Sequence, residues 1–143
     1  MKSLVVYYSK TGNTKKVANE IAGALGVEAM NVKQLKDFSP AGLLLVGSGT
    51  YGNRADKKMI EFLNNLPSLH NVRAAVFGTS GDGRFEQSAG LLEMRRILEE
   101  KGALVAGTFC CQGKMFYLFG RGHPSEEDLE NARKFAKGLV KKR

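Results

Sequence analysis

The stretch SKTGNT, Ser9 to Thr14, gathers hydrogen-bond donors into one turn. Ser9, Thr11 and Thr14 bring hydroxyls, Asn13 brings an amide, and Gly12 lets the backbone wrap tightly. The turn lies between an apolar run and the start of a helical pattern, where backbone N–H groups and the helix dipole attract anions. Such a turn suits a small dianion, most simply a phosphomonoester. The G-x-x-x-x-G-K-[ST] spacing is absent, so this is not a Walker A loop. A polar turn with an ordinary helix cap is the plainer alternative. The crowding of side-chain donors favours the phosphate.

Two more stretches have a similar position after apolar runs. GSGTYGNR, Gly47 to Arg54, matches G-x-G-x-x-G as a string. A dinucleotide fingerprint belongs after the first strand, with an acid ending the next one. Here the string follows the third strand, and the fourth ends in FGTSGD without a well-placed acid. The stretch reads better as Thr50 and a flat aromatic, Tyr51, followed by the pliable pair Gly52-Asn53. GTSGDGRF, Gly78 to Phe85, offers Thr79, Ser80, Gly81, Asp82 and Phe85. Its backbone amides suit the edge of a planar heterocycle. Together the three stretches describe a ligand with a phosphate at one end and a flat ring at the other.

The elements that must position these loops follow from periodicity. SLVVYYS is a short buried strand. Asn13 or Thr14 is expected to cap the next helix, in which Val17, Ile21, Ala24 and Leu25 recur at helical spacing before Gly26 ends it. VEAMNV is a weak edge strand and AGLLLVGSGT a strong central one. From Asp56, Met59, Ile60, Leu63 and Leu66 mark a second helix, stopped by Pro67. NVRAAVFGT is a fourth strand, and a helix from about Gln87 to Lys101 follows. ALVAGTFCCQG is a fifth strand, and a last helix begins at Ser125 with Asp128 completing a box-like cap. Strands alternating with helices predict one parallel sheet covered on both faces, with right-handed crossovers. In such sheets ligands bind beyond the carboxyl ends of the strands, where the donor-rich loops fall.

Composition sets the outer bounds. The 143 residues fit a single domain, 1–143, with no linker or repeat. No apolar run approaches the roughly 20 residues of a membrane span, and the start reads as a strand rather than a signal peptide. A cytoplasmic location and no membrane partner are expected. Cys110 and Cys111 are neighbours, so a bond between them would be strained, and two small residues of a core strand is the simpler reading. The formal net charge is +8, spread over several segments. No nucleic-acid motif accompanies it, so a nucleic-acid partner is not expected.

In order and over the whole chain, these residues resemble the flavodoxin family in its short-chain, FMN-binding form. SKTGNT looks like that family's phosphate loop, [ST]-x-T-G-x-T. The resemblance implies a three-layer α/β/α sandwich around a five-stranded parallel sheet of order 2-1-3-4-5. It implies FMN as cofactor, with its phosphate held by Ser9, Thr11, Gly12, Asn13 and Thr14 and with Lys10 among the cofactor-binding residues. Thr50 would reach the phosphate or ribityl region, and Tyr51 and Phe85 would flank the ring. Gly52-Asn53 would take the place of the flipping peptide whose carbonyl accepts from flavin N5. Gly81 and Asp82 would lie near the pyrimidine edge, and Thr79 and Ser80 beside them would also contact the cofactor.

Two departures stand out. There is no tryptophan, and the chain is basic where the family is typically acidic. Lys10, Arg54, Lys57, Lys58 and Arg84 lie in or beside the loops, so a redox partner with an acidic docking face is expected. The implied activity is that of a monomeric electron carrier between an upstream reductase and a downstream acceptor enzyme. No catalytic side chain and no metal ligand set is expected, since the chemistry would be the cofactor's. The alternative is an FMN-dependent NAD(P)H, quinone or flavin reductase, with the aromatic stretch KMFYLFGRGH as a substrate wall. A receiver domain shares the strand order but needs acids after the first and third strands, where this chain has SK and GSGT.

Overall fold

The computed structural model describes residues 2–9, 12–35, 42–51, 54–80, 89–112 and 125–141, with the backbone alone at 50, 51, 54, 80, 111, 112 and 141. The strands are β1 (Ser3–Tyr8), β2 (Ala29–Asn31), β3 (Leu43–Tyr51), β4 (Arg54–Ala55), β5 (Arg73–Ser80) and β6 (Leu104–Gln112). The helices are α1 (Asn13–Leu25), α2 (Lys57–Asn64), α3 (Ala89–Glu100) and α4 (Glu126–Lys141). The sheet runs β2-β1-β3-β5-β6, all parallel along this path. This is the expected order of five strands. The added element is β4, a short antiparallel return on the end of β3.

The apolar runs are continuous because both sheet faces are covered. Neighbouring residues of each strand therefore serve different cores. Val6, Leu44, Val46, Ala74 and Val76 point into the core built with Met59 and Leu63 of α2 and Leu91, Met94 and Leu98 of α3. Val5, Leu43, Leu45, Ala75 and Phe77 point the other way, against Val17, Ala18 and Ile21 of α1 and Ala132 and Ala136 of α4. The site-bearing helices α1 and α2 thus lie on opposite faces of one sheet.

Register brings the strand ends level. Tyr8 pairs with Ser48, Ser48 with Gly78, and Gly78 with Cys110. The loops after β1, β3 and β5 therefore leave from one edge. Two glycines permit this packing. A Cβ on Gly47 would sit 2.0 Å from Cε2 of the Phe77 ring, and one on Gly78 would sit 2.7 Å from the Ser48 carbonyl oxygen. In the sequence both glycines read as a strand end and also as the first residue of the loop after it. The strand reading holds: β3 continues to Tyr51 and β5 to Ser80, because the ladder Gly47↔Phe77, Ser48↔Gly78, Gly49↔Thr79 needs the backbones this close.

The helix ends largely follow the local chemistry. Gly26 takes a left-handed conformation at φ 73° and returns its N–H to Ala22 and Gly23, closing α1. Asp56 caps α2 by accepting from the Lys58 N–H at 2.8 Å. Ser125 and Asp128 cap α4 reciprocally, at 2.8 and 3.2 Å. The residues expected to begin α3, Gln87 and Ser88, lie outside the described ones.

Arg133 clamps α4 to α1. Its guanidinium meets Glu20 of α1 at 3.1 Å, Glu126 at 3.1 Å and Glu130 on its own helix. The hydrogen bond and charge of Arg133 hold the Glu130 carboxyl below its ordinary value. A lowered carboxyl stabilises the fold above the pKa of the unfolded chain and loses that contribution as pH falls through the folded value. Wild type is therefore expected to lose stability from roughly pH 4 downward, in part through this group. Urea titrations should show a shallower acid loss for Arg133→Gln, with Glu130 titrating nearer its ordinary value by carboxyl NMR. An unchanged Glu130 titration in that variant would rule out the clamp as the cause.

Candidate functional site

The donor-rich turn is assembled by Gly12. It sits at φ 90°, in the left-handed region that favours glycine, and it is the residue flanking α1. Its N–H donates to Ser9 Oγ at 2.9 Å, and its carbonyl accepts the first helical N–H, from Lys16, at 3.1 Å. This corrects the expected cap. Asn13 and Thr14 do not precede the helix but form its first turn, and both are buried. Glycine has no side chain with which to cap, and α1 has no acid in its first turn. A helix that starts this way is electrostatically completed by an anion.

Thr14 has a second engagement. Its Oγ1 lies 2.9 Å from Thr79 Oγ1, across a sequence gap of 65 residues. Thr14 and Thr79 are 1% and 5% exposed, so the contact is buried. One hydroxyl donates to the other, and the accepting one keeps its own proton to donate elsewhere. The pair ties the turn after β1 to the end of β5. Thr79 therefore belongs beside the phosphate turn, whereas its place in the chain had put it with the ring loop.

Two residues that sequence reading passed over hold the middle loop. Ser48 is 1% exposed; its Oγ accepts from the Asp56 N–H at 2.8 Å and donates to the Gly49 carbonyl at 2.8 Å. Asp56, itself buried, caps α2. Together they close the base of the β3–β4 hairpin, where Thr50 pairs with Ala55 and Tyr51 with Arg54. The visible hint was a serine between two glycines, with a helix-start aspartate a few residues further on. These are positioning residues, which set where the backbone of Tyr51 stands.

Of the expected site, Ser9, Gly12, Asn13, Thr14 and Thr79 are thus at one edge, and the backbones of Thr50, Tyr51 and Ser80 end strands there. Lys10, Thr11, Gly52, Asn53, Gly81, Asp82 and Phe85 lie outside the described residues. A pocket of about 370 Å³ opens beside α2, lined by Val32, Leu35, Phe62 and Leu66 with Lys33 and Lys58. None of the hydroxyl cluster lines it, and the candidate site is placed at the strand ends on chemical grounds. Among the described residues no helix is long and apolar enough to cross a membrane.

Comparison with known proteins agrees with this geometry. An uncharacterized protein of Methanocaldococcus jannaschii is 34% identical over an alignment of 151 positions, covering 99% of both chains. A flavodoxin of Maridesulfovibrio salexigens is 32% identical over 120 positions, covering 74% of this chain and 82% of that one. The crystal structure of a Fusobacterium nucleatum flavodoxin bound to flavin mononucleotide superposes with a TM-score of 0.73 at 17% identity, covering 99% of this chain and 98% of that one, and so shares its fold. The profile of the flavodoxin domain matches residues 4–119, most of the chain, and the chain belongs to that family.

Proposed function

We propose that this protein binds one FMN at the strand-end edge and carries electrons between a reductase and an acceptor protein. The observation that carries this reading is the glycine-led start of α1, with Ser9 at its entrance and the buried Thr14–Thr79 pair beneath it. The donor set fits a phosphomonoester: hydroxyls, amides and a helix dipole, with no acid in the first turn. FMN, when bound, supplies one-electron and two-electron redox chemistry; the protein supplies binding and orientation. The Fusobacterium neighbour, which holds FMN, supports the assignment through the shared fold.

In this reading Ser9, Lys10, Thr11, Gly12, Asn13 and Thr14 hold the phosphate, with Thr79 behind Thr14. Thr50 reaches the phosphate or ribityl chain. Tyr51 and Phe85 cover the ring, the Gly52-Asn53 peptide offers its carbonyl to N5, and Ser80, Gly81 and Asp82 follow the pyrimidine edge. Ser48 and Asp56 fix the hairpin that presents Tyr51.

The carrier reading is tested by mixing the purified FMN-loaded protein with NADPH or NADH, with and without an added flavoprotein reductase. A carrier is expected to stay oxidised until the reductase is present. Sustained NADPH oxidation by the isolated protein with a quinone would instead establish an enzyme.

A further inference from the structure

The start of a helix is a poor place for a cation, because the dipole is positive there. Yet Lys15 and Lys16 stand in the first turn of α1, and Lys57 and Lys58 in the first turn of α2. All four are exposed. Neither first turn contains an acid, whereas α4 opens with Glu126, Glu127 and Asp128. Three arginines elsewhere are paired with carboxylates: Arg95 with Glu99, Arg96 with Glu100, and Arg133 with its three glutamates. Among the described residues none of the four lysines has a carboxylate within ion-pair distance. Asp56 is buried as a cap, Glu20 is held by Arg133, and Glu61, on the same face of α2 as Lys57 and Lys58, makes no ion pair with either.

The fold puts these lysines on either side of one edge. α1 is joined to the end of β1 through the Gly12–Ser9 bond, and α2 to the end of β3 through the Asp56–Ser48 bond. Those strand ends are neighbours, with Tyr8 opposite Ser48, while the two helices cover opposite faces. A fifth lysine, the exposed Lys33, stands over the ring of Tyr8 at 5.1 Å. A partner touching both lysine pairs must therefore span the strand-end edge.

We propose that this lysine rim is the docking surface for a redox protein whose own centre lies in an acidic face. The proposal rests on the carrier reading and names the chemistry of its partner. Like charges against two helix dipoles cost stability, and a surface that must attract carboxylates gives that cost a function. A protein face fits better than a polyanion, because the rim encloses the edge from which electrons would leave. In the transfer, one electron leaves the reduced flavin and the partner's ferric haem or equivalent acceptor is reduced by one.

The test uses FMN-loaded protein, photoreduced stoichiometrically and mixed in a stopped-flow instrument with three oxidants. These are cytochrome b5 as an acidic acceptor, cytochrome c as a basic one, and benzoquinone as a neutral one. For wild type, the bimolecular rate with cytochrome b5 should fall about tenfold or more between low and high salt. Lys57→Glu with Lys58→Glu should slow that reaction severalfold at low salt, converge with wild type at high salt, and leave benzoquinone unaffected. Lys15→Glu with Lys16→Glu should act the same way. Lys57→Gln with Lys58→Gln should give a smaller slowing in the same direction. The thermal midpoint of the glutamate variants should be equal to or above wild type, since acids suit these positions. A cytochrome b5 rate indifferent to salt, or to these substitutions, would overturn the proposal. So would retention of the protein by single-stranded DNA or phosphatidylserine vesicles at physiological salt, if the same lysines were required. Loss of flavin, or of the benzoquinone reaction in wild type, would instead overturn the carrier reading and this proposal with it.

Discussion

Gly47→Ala is expected to destabilise the apoprotein by about 3 kcal/mol, at the upper end of the ordinary cost of overpacking. The added methyl would lie 2.0 Å from Cε2, 2.3 Å from Cζ and 2.5 Å from Cδ2 of Phe77. Phe77 is fully buried, so its ring has no solvent into which to swing. Strand β3 is held between β1 and β5 and cannot bow away without breaking ladder bonds on both sides. For a chain of this size the loss corresponds to a fall in the thermal midpoint of roughly 10 °C. Phe77→Leu should restore part of the loss when combined with Gly47→Ala, a favourable coupling measurable in a double-mutant cycle. A Gly47→Ala protein within about 0.5 kcal/mol of wild type, the range of an ordinary surface substitution, would show that the contact between these strands is wrongly described.

Thr11→Ala with Thr14→Ala is expected to weaken FMN about 100-fold or more, while riboflavin changes little. A hydrogen bond to a charged group is worth about 1.5–3 kcal/mol, and two such bonds to a phosphate are removed. Riboflavin has no phosphate and cannot lose them. Thr14→Ala also strips Thr79 of its buried partner, so some stability must go as well. Thr79→Ala separates the two effects. It removes the same buried contact but should cost less FMN affinity, because the hydroxyl of Thr14 stays in the turn. Thr14→Ser keeps the hydroxyl and should remain near wild type in both measurements. Equal losses for FMN and riboflavin in the double variant would remove the phosphate from this turn.

A parallel sheet covered on both faces was legible because the apolar runs of β1, β3 and β5 are too continuous for a half-exposed sheet; the strand order came from the resemblance. Alternation of strand and helix then leaves few topologies. The donors of the first turn were legible because several side chains of one chemical kind fall within Ser9–Thr14. What stayed hidden depends on contacts distant in sequence. Nothing near Gly47 reveals that it lies against Phe77, so the reason for a glycine inside the strand stayed hidden. Nothing near Thr14 reveals Thr79, so a hydroxyl that could cap a helix was assigned to capping. The β3–β4 hairpin escaped for a similar reason, since β4 is only Arg54–Ala55 and its anchor, Ser48 to Asp56, is a buried side-chain bond.

The account stands on a phosphate held at the start of α1. Its most direct measurement is a parallel fluorescence titration of the apoprotein with FMN and riboflavin. The two ligands share the ring and ribityl chain and differ by the phosphate. The account predicts one FMN per chain, bound at least about 100-fold more tightly than riboflavin, a difference of roughly 2.7 kcal/mol. FMN and riboflavin binding with the same affinity would contradict it.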